Sequence, residues 1–266
     1  MSDTDLRDIE APDARESDRV AVVTGASRGI GAAIAGRLGA DGYTVAVHYR
    51  QDSAAAADVV EKITAAGGTA FSFAADLAAP DTGTAFWTSY DAAAGSLRDA
   101  PVRVLVNNAG IALHGTIEEF GAEDFIRQQQ INATAPFLII KAALPRLADG
   151  GRIVNISSGT SRVALPDLIG YTMTKGAIDA LTLPLAQHLG PRGITVNTVV
   201  PATTDTDMNA SWLRGNSELV ADIAAQNALG RIGEPADVAD VVALLASHDA
   251  RWITGQLIDA TGGFRL

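Results

Sequence analysis

Short apolar, β-branched runs alternate along this chain with longer stretches that are apolar on one side only. The runs at 19–24 (RVAVVT), 44–48 (TVAVH), 69–74 (TAFSFA), 102–106 (VRVLV), 152–157 (RIVNIS), 194–199 (ITVNTV) and 256–259 (QLID) predict strands. Continuous apolar runs of this length suit strands covered on both faces. Between them, helices are predicted after Gly31 (AAIAGRLGADG) and over 54–66, 82–98, 122–148, 171–189 and 235–247, with two short helices in the Ala-rich region 209–229. The regular strand–helix alternation, with no repeat or internal linker, predicts one α/β domain over 19–266. Its expected core is a doubly wound parallel sheet. The acidic, polar start, MSDTDLRDIEAPDARESD, reads as a mobile tail at 1–18 and not as a signal peptide.

Composition narrows the function classes. The chain has no cysteine, which excludes disulfides, thiolate catalysis and Cys-ligated zinc. Its four histidines (His48, His114, His188, His248) show no metal-ligand spacing, so no metal is expected and each histidine reads as structural. A net charge of −11 disfavours nucleic acid and anionic membrane as partners. No run reaches the roughly 20 apolar residues of a membrane span. A cytoplasmic protein acting on a small molecule is the expectation. There are only three lysines, Lys62, Lys141 and Lys175, which makes Lys175 slightly more notable.

The candidate chemistry sits where the predicted strands end. Gly25-Ala-Ser27-Arg28-Gly29-Ile30-Gly31 lies between the first strand and first helix. There, glycines let backbone approach a pyrophosphate and the helix N-terminus stabilises its charge. The second strand ends in His48-Tyr49-Arg50 with no acid in position for a ribose 2′-hydroxyl; Arg50, with Arg28, favours a 2′-phosphate and hence NADP(H) over NAD(H). Asp76-Leu77 ends the third strand, where the acid either accepts from an adenine amino group or caps the next helix. Asn107-Asn108-Ala109-Gly110 ends the fourth, with small residues suited to packing on a dinucleotide. Asn132 is a polar amide in an apolar helix; a bond to backbone is its plainest use. Tyr171 and Lys175, four apart on a helix, share one face. A neighbouring ammonium is expected to lower the phenol pKa and so make it an acid or base. Ser157 or Ser158 ends the fifth strand near the same place.

Taken together, 24–31, Asp76-Leu77, Asn107–Gly110, Asn132, Ser158, Tyr171-x-x-x-Lys175 and Thr206 resemble the compact, single-domain short-chain dehydrogenases/reductases, over roughly 19–263. Within that family the sequence looks most like the 3-oxoacyl-acyl-carrier-protein-reductase-like group and similar reductases of secondary metabolism. The resemblance implies a Rossmann-type sheet of seven parallel strands and hydride transfer between NAD(P)(H) and a carbonyl. It implies Tyr171 as proton donor, Lys175 as its tuner and ribose contact, Ser158 (by its spacing to the tyrosine) as the group polarising the carbonyl, and Asn132 as the holder of a water leading to Lys175. Cofactor contacts carried over are Gly25, Ser27, Arg28, Gly29, Ile30, Gly31, Tyr49, Arg50, Asp76, Leu77, Asn108, Ala109, Gly110, Tyr171, Lys175, Pro201, Thr203 and Thr206. The substrate is expected between 113–115, 163–167 and 203–227, where Arg214 is a candidate for an anionic group. A homotetramer is expected first and a dimer second, through helices 122–148 and 171–189. The chain departs from the family at Pro201-Ala202, where Pro-Gly is usual, and at Pro184, expected to kink its helix. A silent dinucleotide-binding sensor would be expected to lack Tyr171 or Lys175, and both stand. A longer-branch epimerase is disfavoured by the glycine spacing and the chain length.

Overall fold

The computed structural model describes residues 19–266; the predicted tail at 1–18 lies outside them. Seven strands form one sheet in the order β3-β2-β1-β4-β5-β6-β7. They are β1 Val20–Val23, β2 Thr44–Tyr49, β3 Thr69–Ala74, β4 Val102–Asn107, β5 Leu147–Ile156, β6 Thr195–Pro201 and β7 Leu257–Ala260. Every pairing is parallel, from Val20 opposite Thr44 to Pro201 opposite Ala260. The expected fold class therefore holds, and strand boundaries mostly fall within two residues of the sequence reading.

Period-two alternation on these strands feeds two cores. Ala21, Val23, Val45, Val47, Val104 and Val106 point toward α1 (Gly29–Ala40), α2 (Ser53–Ala65) and α9 (Pro235–Ala246). Val20, Val22, Ala46, Leu105, Ile153 and Val196 point toward α3 (Thr82–Ala94), α5 (Ala135–Ala143) and α6 (Ile169–Leu189). The β1 side chains are fully buried. Each buried valine is worth roughly 1.5–3 kcal/mol.

Two predicted elements need correction. The helix expected over 122–148 is α4 (Ala122–Gln129), a π-helical turn at Gln130–Thr134, and α5 ending at Ala143. Pro145 disfavours helix at the residue before it, and Arg146 N–H turns back to Ala143 O. Leu147 then pairs with Val102, so β5 starts five residues earlier than 152, with an irregular register before Arg152. The predicted polar region resolves into α7 (Ala210–Leu213) and α8 (Ser217–Ala224). Pro184 does not interrupt α6, which runs unbroken through it. The residue is exposed, so the hydrogen bond it forfeits lies on the helix's outer face.

Because all strands run the same way, the loops after β1, β4, β5 and β6 gather at one edge. The strand order reverses between β1 and β4, and the crevice outside that point is where ligands bind in such sheets. No helix among the described residues is long and apolar enough to cross a membrane.

Candidate active site

The glycine loop is shaped by close approach. Gly25 has φ +62°, and a Cβ there would lie 2.8 Å from Ala109 Cα. A Cβ on Gly31 would lie 2.2 Å from Gly25 O and 2.5 Å from Asn108 Nδ2. Asn108 Nδ2 donates to Thr24 O at 2.9 Å and Gly25 O at 3.1 Å. Thr24 Oγ1 accepts from the N–H groups of Asn108 (2.9 Å) and Ala109 (3.0 Å). The Asn108 side chain, expected on a dinucleotide, is thus spent on bracing the loop.

Arg28 caps α1 with extended backbone and no side-chain cap, leaving the first N–H groups of that helix open. Arg28 and Arg50 are both exposed. Among the described residues neither pairs with an acid; Arg50 donates only to Gln51 Oε1, at 3.1 Å. Thr206 stands over Gly29, its Cγ2 3.4 Å from where a Cβ would be. Asp52 accepts from Ala55 N–H and caps α2, so it is turned away from this edge. Asp76 accepts from Ala78 N–H at 3.0 Å, while the N-cap position of α3 is Asp81, whose side chain makes no capping bond. Leu77 is buried in the α3 core, so its side chain is structural. Tyr49 is half-buried, and its carbonyl accepts from Ala75 N–H.

On the other side of the crevice, the two serines separate cleanly. Ser157 is buried and its Oγ donates to Lys175 O at 3.4 Å. Ser158 is half-open, caps the turn Gly159–Arg162, and accepts from Thr160 N–H at 3.3 Å. Lys175 Nζ donates to Ile156 O at 2.8 Å and lies 5.5 Å from the centroid of the Tyr171 ring. Gly170 lets α6 in close: a Cβ there would lie 2.9 Å from the Phe120 ring.

The electrostatics differ from the sequence expectation. Burial pushes the Tyr171 phenol up, to about 12, against the Ser158 hydroxyl, which pulls it down. Burial pushes Lys175 down to about 8, partly offset by Asp179 one turn along. In the protein by itself the lysine does not bring the phenol toward neutrality. Removing the phenolate from water costs more than the hydrogen bond from Ser158 returns.

Asn132 sits in the π-helical turn, where Ala135 N–H reaches back to Gln130 O. Its Oδ1 accepts from Ile111 N–H at 2.9 Å, and its Nδ2 donates to Ile111 O at 2.8 Å and Thr174 Oγ1 at 3.1 Å. The amide is fully engaged and fixes the loop after β4. A Cβ on Gly110 would come within 3.3 Å of Asn132 Oδ1 and 3.8 Å of Lys175 Nζ, so these three residues adjoin.

The expected pocket segments also meet. Gly115 pairs with Leu168, Gly115 N–H donates to Asp167 O, and Gln128 accepts from Leu113 N–H at 2.7 Å. Arg214 is held by Asp205 at 2.9 Å and Asp207 at 3.1 Å, so its charge is answered within the lid, the segment 203–229 that carries α7 and α8. Ala202 has no left-handed backbone, so alanine stands there without strain. Residues 226–229 pair with the chain terminus: Ala228 and Leu229 N–H donate to Gly263 O and Gly262 O. This tie, the Thr24 brace and the His48 contacts described below went unread in the sequence. Each depends on which backbone group a side chain meets.

A family model described as Enoyl-(Acyl carrier protein) reductase, adh_short_C2, matches residues 25–265. The chain belongs to the short-chain dehydrogenase/reductase family. Among members of this family, an uncharacterized oxidoreductase of Methylorubrum extorquens is 44% identical over 93% of this chain and 98% of its own. The versicolorin reductase stcU of Emericella nidulans is 38% identical, over 94% of this chain and 96% of its own. The solved structure of the angucycline C-6 ketoreductase LanV with bound NADP is 45% identical and superposes with a TM-score of 0.88, covering 94% of this chain and 96% of that one.

Proposed function

We propose that this short-chain dehydrogenase/reductase reduces a ketone to a secondary alcohol with NADPH. The observation that carries the reading is the convergence of Ser158, Tyr171 and Lys175 beside a glycine loop flanked by two arginines that have no acidic partner among the described residues. The loop fits a dinucleotide: Gly25 and Gly31 leave no room for side chains, and the open α1 N-terminus suits a pyrophosphate. Arg28 and Arg50 suit a 2′-phosphate, and the NADP in the LanV structure supports that choice. When bound, NADPH supplies the hydride.

The chain's own residues supply the rest. Ser158 Oγ orients and polarises the carbonyl oxygen. Tyr171, kept protonated by burial, gives its proton to that oxygen as negative charge develops. A phenol held this far above neutrality is matched to reduction; the reverse reaction needs it as a base and is expected to strengthen at high pH. Lys175 holds positive charge beside the phenol and restores its proton. Asn132 maintains the wall next to Lys175.

The substrate reading is a free, largely apolar ketone of polyketide type. LanV and stcU, by their names, are ketoreductase and versicolorin reductase, which supports this class. In this chain the lid arginine, Arg214, is already neutralised, and exposed Met208 and Leu229 give the lid apolar character. With a net charge of −11, docking of an acidic carrier protein is disfavoured. Assembly through α4–α6 is supported by exposed Ile126, Phe137, Met173 and Leu183 on those helices. NADPH oxidation measured against a panel of cyclic aromatic ketones, acyl thioesters and small ketones tests the reading. Turnover of the cyclic ketones, lost in Tyr171→Phe, is the expected result.

A further inference from the structure

We propose that His48 is a positioning residue of the cofactor site: a buried imidazole, locked in one tautomer, that holds the glycine loop against the end of β3. The inference rests on the dinucleotide reading of that loop. His48 is only 2% exposed. Its Nδ1 lies 3.0 Å from Gly25 N–H, which can only donate, so Nδ1 carries no proton. Its Nε2 lies 3.0 Å from Ala75 O, which can only accept, so Nε2 carries the proton. The His48 carbonyl also accepts from Ala26 N–H at 2.8 Å. The ring is wedged between Phe73 and Phe86, with centroids 5.4 and 5.1 Å away.

The position therefore reads two backbone groups of opposite polarity on opposite sides of one flat ring. One belongs to the first glycine of the loop and the other adjoins Asp76. Asn108 holds the carbonyl of Gly25 while His48 holds its amide. With the two peptide units on either side of the Gly25 Cα both held by His48 and Asn108, the remaining loop amides are set before any ligand arrives. Preorganisation of this kind shows in ligand affinity and not in the chemical step. A phenyl ring would preserve the packing but leave Gly25 N–H and Ala75 O unpaired in the interior.

Three variants separate positioning from simple stability. In His48→Asn the amide oxygen occupies the place of Nδ1 and keeps the Gly25 bond. In His48→Gln the amide reaches the place of Nε2 and keeps only the Ala75 bond. His48→Phe keeps neither. NADPH binding to each full-length protein is measured by fluorescence titration, alongside thermal midpoints and kcat at saturating NADPH. NADPH binding to His48→Asn is expected to stay close to wild type, while His48→Gln and His48→Phe lose on the order of tenfold or more. Asn and Gln should lower the thermal midpoint alike, since each gives up one bond, and kcat should be little changed in all three. Equal NADPH binding by wild type, Gln and Phe would overturn the inference, as would an Asn variant as weak as Gln. If the wild type binds neither NADPH nor NADH, the dinucleotide reading itself falls and takes this inference with it.

Discussion

At the scale of single residues, the site is governed by how far burial moves two groups, and pH reads this out. Lys175 falls from 10.5 to about 8 on folding. Between those values the unfolded chain binds more protons, so this group makes stability rise with pH there. Tyr171 moves from 10.0 to about 12, the folded state binds more protons, and stability falls as pH climbs through that window. His48 moves from 6.5 down to about 4 because burial penalises the imidazolium. The unfolded chain again binds more protons between those values, so stability is lost as pH falls through them, by on the order of 3 kcal/mol. Urea unfolding of wild type and His48→Phe at pH 7 and pH 4.5 checks this, and the loss should be smaller in the variant. For catalysis, Tyr171→Phe is expected to lower kcat by about 10²–10⁴-fold while NADPH still binds. Arg28→Ala and Arg50→Ala should each weaken NADPH by on the order of tenfold and leave NADH nearly unchanged, read by direct titration of both cofactors. Equal losses for the two cofactors would remove the arginines from 2′-phosphate recognition.

At the scale of elements, patterns in the chain were most legible where one rule acts alone. RVAVVT contains β1 because a buried parallel strand needs only an unbroken apolar run, whereas TAFSFA marks β3, an edge strand with only Phe73 buried, through aromatics alternating with small residues. The helix expected over 122–148 was misread because its apolar spacing continues past the point where Pro145 and Arg146 turn the chain. The π-helical turn that presents Asn132 carries no sequence signature and arises from the fit of that amide to Ile111 and Thr174. Asn132→Ala should leave the backbone groups of Ile111 unpaired and cost on the order of 2–4 kcal/mol, measured by urea unfolding. An unchanged midpoint would mean that the loop after β4 is held by other contacts. Pro184, expected to bend α6, is exposed, and the helix runs through it without a break.

At the scale of the whole molecule, the parallel sheet places four loops on one edge and so brings residues as distant as Gly25 and Tyr171 to one crevice. The Tyr171–Lys175 pair alone is a weak signal; it gains meaning from Gly25, Asn108, Asn132 and Ser158, each read at a strand end or its helix. The long-range ties had to be seen in three dimensions: the terminus locked to 226–229, Arg162 paired with Asp259, and His48 spanning the loop and β3. Removing 262–266 takes away the carbonyls that hold Ala228 and Leu229 and should free the lid, raise KM for ketone and leave NADPH binding intact; steady-state kinetics with titration checks both. The apolar outer faces of α4–α6 and the exposed Trp252, 95% open, are expected to be covered on assembly. Light scattering should give a tetramer that Leu183→Glu reduces in size. The most direct test of the central claim is a paired single-turnover measurement. Wild type and Tyr171→Phe, each saturated with NADPH, are mixed with a cyclic aromatic ketone and NADPH loss is followed. Wild type should convert the ketone rapidly to the secondary alcohol, and the variant should hold bound but unreacted NADPH. Equal rates in the two proteins would contradict the central claim.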